Sequence, residues 1–594
     1  MLEKMDVTRR SFLIGSTALA GAAAATTTGC ANGAAGGSGS AGDSGKATLV
    51  FTNAHVQTMV SEDDVAEAVA VRGNEIAYVG NAKDVEDLVD DKTKVIDLKG
   101  AFLAPGFIDS HIHAPGSWLN RLFAISLENM TTNEEYLEAV KKHVEENPDA
   151  EFYTGGPFMF NAYELPDGTN PGPQASDLDA ICSDKPIMLT DVSNHAMWVN
   201  SKALELAGIT KDTKDIEGGM IYRDADGNPS GCLADAAMNP VSAAIDTSNT
   251  REQIEEALYK FMEEANSYGI TGMCNMATGG LGINELYHEL DKAGKLTLRM
   301  KNSTTIDPLL KFEDVLADLE KSKAYDSDMV QTQLAKIFYD GVTESGTAVM
   351  LEPYLESAGL GADWYGEPIW PEEQFKQMVR DFDAAGLQIH VHAIGDGAVH
   401  NTIDAFLEAV EANGDRDHRH TITHVCAITD EDIKRMADNK LIASLQFLWM
   451  YGDPLYELEV SYIGKKRADA MYPVKKMLEA GVHITGASDT PVTPYVVTDE
   501  IEIGVTRNSP FEGEEETDMT RWTAQALTPY QMLEIYTKNS AYQNFMEDMV
   551  GTIEVGKKAD IVVLDKNILE GDPMDINEAK VLYTVSDGRV VYTA

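Results

Sequence analysis

Two imidazoles one residue apart close the run Phe107-Ile108-Asp109-Ser110-His111-Ile112-His113. The apolar start predicts a strand, and on a strand residues i and i+2 point to the same side. His111 and His113 can therefore present both rings to one metal ion from a strand end. Other apolar runs end in groups of the same kind. His392 closes Leu387-Gln388-Ile389-His390-Val391-His392, His424 closes Thr421-Ile422-Thr423-His424, and Asp489 follows His483-Ile484-Thr485-Gly486-Ala487-Ser488. Neutral imidazoles and carboxylates suit zinc or a similar first-row divalent ion. Such an ion lowers the pKa of bound water, and Asp489 is of the type to bind the ion, orient that water and receive its proton. Blander roles compete: the histidines can be hydrogen-bonded core groups, and Ser488-Asp489 can cap a following helix.

Lys336, inside the otherwise apolar Gln333-Leu334-Ala335-Lys336-Ile337-Phe338, poses a separate problem. An ammonium beside divalent ions is repelled and costly to bury. Carboxylation by carbon dioxide would turn the same side chain into an anionic bridge between two ions. The competing arrangement is a lysine salt-bridged to Asp340 or another carboxylate.

These residues need strands to carry them. From about residue 105 the chain alternates strand-like and helical patterns, which predicts a parallel α/β architecture. The expected barrel strands are 107–113, 187–193, 270–275, 334–338, 387–392, 421–425, 442–446 and 482–487. Eight strands agree with a TIM barrel, whose chemistry belongs at the C-terminal strand ends. Thr132 to Glu135 forms a capping-box pattern ahead of a helix with Leu137, Val140 and Val144 on one face. Crossover helices are expected at 374–385 and 431–437. The segments 46–104 and 546–594 read as short strands between Asn, Gly and Asp turns, so both chain ends can combine in one small β-sandwich around a barrel domain spanning 105–545.

The 594 residues carry a formal charge of -50, which opposes binding to nucleic-acid backbones or anionic lipid surfaces. The 43% apolar fraction indicates a folded chain. Residues 1–30 have the parts of an export signal: Arg9-Arg10, an apolar Ala-rich run, and Gly29-Cys30. The twin arginines match a signal for exporting folded proteins, and Gly29-Cys30 matches a lipoprotein processing site, which implies export to the cell surface or periplasmic side with a lipid on Cys30. Residues 31–45 read as a Gly/Ala/Ser tether. Cys182, Cys232, Cys274 and Cys426 contain no CxxC pair and are expected as buried free thiols.

Taken together, the motifs resemble the amidohydrolase superfamily, specifically the YtcJ-like or amidohydrolase family 3 group that includes N-substituted formamide deformylase. The matching text is Pro105 to His113, Asn194-His195-Ala196-Met197-Trp198-Val199-Asn200, Lys336 to Gly341, His392-Ala393-Ile394-Gly395-Asp396, His424, Gly486 to Pro491, and Gly556-Lys557-Lys558-Ala559-Asp560. The resemblance implies a distorted TIM barrel with a composite β-sandwich. It implies a metal set of His111, His113, Lys336, His392, His424 and Asp489, holding one or two divalent ions, zinc by type, with Lys336 carboxylated. Asp489 would be the general base that later protonates the leaving amine, and His195 would contact substrate or stabilise an oxyanion. Three positions depart from the family pattern: Thr423 where glutamate is usual, Asn275 where aspartate is common, and Asn194 where glycine is common. None of them removes an expected ligand; they bear on the hydrogen bonds behind the ligands, on metal occupancy and on substrate choice.

The expected activity is metal-dependent hydrolysis of a non-peptide C–N bond in an N-acyl amine, formamide or cyclic amide. Phe447, Trp449, Met450 and Tyr451 can form an apolar wall of the pocket. Ester hydrolysis by the same fold and an exported substrate-binding lipoprotein without turnover are the competing functions. The expected partner is a small-molecule amide, with no nucleic acid, membrane contact only through Cys30, and a homodimer left open.

Overall fold

The computed structural model describes residues 45–594, apart from 128–129, 164–171, 192–195, 215–218, 225, 279–280, 454 and 512–519. The leader, Cys30, most of the tether, Asn194 and His195 lie outside the described residues. The chain divides into two compact units, one of residues 115–261 with 491–493, the other of the described residues up to 114 with 262–490 and 494–594.

The larger unit contains eight strands in chain order: β1 (Phe107–Ile112), β2 (Ile270–Thr278), β3 (Arg299–Ile306), β4 (Val330–Phe338), β5 (Gln388–Ala393), β6 (Thr421–His424), β7 (Ile442–Leu445) and β8 (His483–Gly486). Every ladder from β1 to β8 is parallel. The ends are drawn together by side chains and loop backbone. Asp489 N donates to His111 O at 2.9 Å, His113 N donates to Thr490 O at 2.8 Å, and Ser110 Oγ donates to Gly486 O at 2.7 Å. The result is a nearly closed parallel barrel, with Glu372–Ala384 and Asp430–Asp438 among its helices.

One expected barrel strand is corrected. Ile187–Asp191 belongs to the smaller unit, pairing parallel with Tyr153–Phe158 and antiparallel with Ala196–Val199. The barrel takes β3 instead, whose sequence Arg-Met-Lys-Asn-Ser-Thr-Thr-Ile carries two cations and little apolar alternation. Residues 299–303 are nevertheless buried. Arg299 meets carboxylates contributed from far along the chain, and the Lys301 ammonium lies 4.8 Å from the Phe545 ring. Periodicity registers apolar burial and misses a polar strand whose partners are distant in sequence.

Both chain ends build two further sheets. The first orders Glu75–Gly80, Ala68–Arg72, Leu49–Thr52 and Lys94–Asp97. The second orders Arg589–Thr593, Val581–Ser586, Ile561–Leu564, Phe102–Pro105, His55–Gln57 and Val65–Ala66. Phe102–Pro105 pairs antiparallel with Ile561–Leu564, so the two ends meet in one ladder. Alternate residues of each sheet share a core: Leu49, Phe51, Val69 and Val71 from one, Leu103, Ile561, Val563 and Val585 from the other. Arg299 ties this second sheet to the barrel. Its Nε donates to Asp560 Oδ2 at 2.7 Å, and its Nη2 donates to Asp560 Oδ1 and Asp587 Oδ1, both at 3.0 Å.

The smaller unit contains a six-stranded mixed sheet and the helix Asn133–Glu146. Its capping box is formed, with Glu135 N donating to Thr132 Oγ1 and Thr132 N to Glu135 Oε2. Tyr136 and Val140 bury the inner face of this helix. Cys182, Cys232, Cys274 and Cys426 are buried free thiols.

Candidate metal centre

The site assembles at the C-terminal ends of the barrel strands, all within the larger unit. All six residues of β1 are buried, and His111 and His113 direct Nε2 to the same oxygen, Asp489 Oδ1, at 3.2 and 3.1 Å. Asp489 itself has φ +59°, and His424 has φ +77°. Non-glycine residues held in this region cost of order 1–3 kcal/mol, so surrounding contacts must over-determine them. One such contact is Asp109, whose Oδ1 accepts from His111 N at 3.2 Å and from Ser488 N at 3.1 Å. Asp109 thereby ties β1 to the loop that carries Asp489, and burial pushes its carboxyl up to about 7.

From β6, His424 faces the same point. Its Nδ1 lies 2.8 Å from Gln446 Oε1; an amide oxygen only accepts, so Nδ1 carries the proton and Nε2 is left bare. Trp449 stacks on the His424 ring, with centroids 5.1 Å apart and planes 7° apart. The ligand atoms of His111, His424 and Asp489 all fall within 4.8 Å of one another, and all three residues are buried.

His392 adjoins this group, its ring centroid 4.4 Å from that of His424. Its Nε2 donates to Gly341 O at 3.2 Å, with Asp340 Oδ1 at 3.6 Å, so Nδ1 is the nitrogen left for a ligand. Asp340 accepts from the backbone N–H groups of Val349, Ile394 and Gly395. Those bonds occupy the carboxylate expected as the salt-bridge partner of Lys336. Lys336 instead sits fully buried on β4, with Nζ 3.3 Å from His111 Nε2 and 4.5 Å from the Phe338 ring centroid. Burial pushes its ammonium down to about 7.

Of the expected residues, His111, His113, Lys336, His392, His424 and Asp489 are thus brought together, and His195 lies outside the described residues. Sequence reasoning missed two groups. His390 precedes His392 by two on β5, and its Nε2 lies 3.0 Å from His111 Nδ1. The parity that exposed His111 and His113 would have found it. Gln446, after β7, had no such signal. The departures also find roles: Thr423 Oγ1 donates to Ser444 O at 3.1 Å and accepts from Gln446 Nε2 at 3.4 Å, while Asn275 Oδ1 accepts from Ala114 N at 2.9 Å. Phe447 to Trp449 form a buried helical turn after β7, with Met450 and Tyr451 buried behind it.

The donor set fits a divalent cation. Asp489 Oδ1 is buried and accepts no hydrogen bond among the described residues, although two imidazole nitrogens stand within 3.2 Å. Burial, with the nearby Lys336 charge, holds His111 well below the ordinary imidazole range, and burial with His392 does the same for His424. Neutral ring nitrogens and a carboxylate oxygen turned toward one another repel through their lone pairs. A shared cation converts that repulsion into coordination.

Comparison with known proteins bears on the family and the fold. N-substituted formamide deformylase of Arthrobacter pascens is 27% identical over 553 residues, covering 92% of this chain and 98% of that protein. YtcJ of Bacillus subtilis (strain 168) is 27% identical over 548 residues, covering 91% and 99%. Among solved structures, an uncharacterized metal-dependent hydrolase from Pyrococcus furiosus superposes with a TM-score of 0.69 at 22% identity, covering 88% of this chain and all of that one, a likeness of fold. The family model for the amidohydrolase family matches residues 94–592, from the first terminal sheet through the barrel to the last strand, and the chain belongs to that family.

Proposed function

We propose that this protein is a metal-dependent amidohydrolase that cleaves a non-peptide C–N bond of an N-acyl amine, a formamide or a cyclic amide. The observation that carries this is the buried convergence of His111, His424 and Asp489. With His113, Lys336 and His392 beside them, these residues would hold one or two divalent ions, zinc by donor type. When bound, such an ion polarises an acyl carbonyl and lowers the pKa of water.

The protein's own groups then do the rest. Backbone bonds from Asp489 N to His111 O and from Ser488 N to Asp109 hold the Asp489 carboxylate beside His111 and His113, where it would take a proton from the attacking water and return it to the amine nitrogen as the C–N bond breaks. Gln446 holds the His424 ring, and Trp449 covers one of its faces, excluding water from that side. Lys336 has no carboxylate partner among the described residues and faces His111; reaction of its amine with carbon dioxide, with loss of one proton, would give the anionic ligand that this position suits. His195 is retained as a substrate-side group on sequence grounds. Export with a lipid on Cys30 is proposed on the same grounds, and unchanged lipid incorporation in Cys30→Ser would count against it.

Matched amide and ester substrates, assayed after chelation and after metal restoration, test the activity. Metal-dependent release of amine, lost in Asp489→Asn, is expected. Turnover of the esters alone would make the protein an esterase, and binding without turnover in the restored protein would remove the enzymatic proposal.

A further inference from the structure

His111 has two ring nitrogens with different duties. Nε2 faces Asp489 Oδ1 at 3.2 Å and Lys336 Nζ at 3.3 Å, while Nδ1 faces His390 Nε2 at 3.0 Å. A neutral imidazole carries its proton on one nitrogen and a lone pair on the other. Only one of the two placements leaves Nε2 able to bind a cation. Both rings are fully buried, so solvent does not compete for the Nδ1 position.

We propose that His390 is a positioning residue: its Nε2 accepts from His111 Nδ1–H and so holds His111 in the tautomer whose bare Nε2 points to Asp489. His390 must then carry its own proton on Nδ1, an atom that is buried without a hydrogen-bond partner among the described residues. Among the described residues no hydrogen bond fixes the proton on that nitrogen, so the contact with His111 is what decides the His390 tautomer. The same contact admits the opposite placement. There His390 Nε2–H donates to His111 Nδ1, and His111 Nε2 carries a proton and offers no lone pair to a cation. Each ring carries one proton in either arrangement, so the dyad is neutral in both. Metal-ligating histidines generally owe their orientation to the partner of the second nitrogen; a second imidazole in that role provides a partner that can reverse.

This assignment rests on the metal centre proposed above, and its test separates the two. Zinc affinity is measured by competition with a chromophoric chelator, and the cobalt-substituted protein by its visible absorption. His390→Gln keeps an acceptor oxygen near the Nε2 position, whereas His390→Leu removes it. The leucine variant is expected to lose about 10–100-fold in metal affinity, with an altered cobalt spectrum, and the glutamine variant to stay close to wild type. If the leucine variant does not fold, His390→Phe keeps the ring volume without the acceptor and carries the comparison. Wild-type affinity in the leucine or phenylalanine variant, or equal losses in these and the glutamine variant, would overturn the assignment. A wild-type protein that binds no divalent ion would remove the centre and this role with it.

Discussion

Gln446 Oε1 meets His424 Nδ1 at 2.8 Å, and the other end of the same amide lies 3.4 Å from Thr423 Oγ1. One side chain therefore settles which nitrogen of His424 faces the centre, and its own orientation is held by the residue before that histidine. The arrangement makes Thr423 part of the support for the His424 ring.

Replacing Gln446 with leucine should lower metal affinity by about 10–100-fold, because the His424 Nδ1–H loses its acceptor in a buried site. Gln446→Glu restores an acceptor and should recover most of the loss. Chelator competition on the two purified variants measures the difference; equal affinities would show that His424 is oriented by packing against Trp449 alone.

Removing the metal should also cost stability. A ligand that binds only the folded state adds about 2.7 kcal/mol at a free concentration one hundred times its Kd. Thermal melting of chelated and zinc-restored protein is expected to show a rise in Tm with zinc that disappears in Asp489→Asn. A Tm indifferent to zinc would argue that the cluster does not hold it.

The Arg299 clamp gives a prediction away from the chemistry. Arg299 is fully buried and bonded to Asp560 and Asp587, so Arg299→Met strands a buried carboxylate at Asp560. Breaking one side of such a pair typically costs about 3–5 kcal/mol. Denaturant unfolding should show a loss of this order, and adding Asp560→Asn should recover part of it. A double variant no better than the single one would place the loss in packing rather than charge.

Asp499, in the first turn of the helix Val497–Thr506, is pushed up to about 7 by burial. Its folded-state pKa exceeds its unfolded value, so the folded form holds a proton that the unfolded form has lost between about pH 4 and 7. The associated stability is fully present below that window and declines as pH rises through it, by up to about 1.4 kcal/mol per pH unit. The helix N-terminus favours the ionised form by only about 0.3–1 kcal/mol. Asp499→Asn should therefore match wild type near pH 4 and unfold at higher denaturant concentration than wild type near pH 8. A difference independent of pH would show that Asp499 is ionised throughout.

Much of the site was legible in the sequence because its chemistry is local in type. Histidines and an aspartate at the ends of apolar runs, with His111 and His113 sharing strand parity, announce polar groups at strand ends whatever the neighbours are. The Lys336 problem was equally visible, since an ammonium in an apolar run needs a partner. What the run could not show was that Asp340, four residues on, spends its oxygens on the N–H groups of Val349, Ile394 and Gly395.

Tertiary structure alone decided the remainder. The strand at Ile187–Asp191 is apolar enough for a barrel, yet its ladder partners lie in the smaller unit; Arg299–Ile306 looks too polar, yet Asp560 and Asp587 meet its cation from more than 250 residues away. His390 and Gln446 became partners of His111 and His424 through the parallel registers that set β5 and β7 into the barrel, across 279 and 22 residues respectively. Residue type and spacing determine which groups can serve a cation, because those properties travel with the chain. Which nitrogen each ring offers depends on a hydrogen bond made between elements, and only the nearly closed barrel brings those side chains to 3.0 and 2.8 Å of one another.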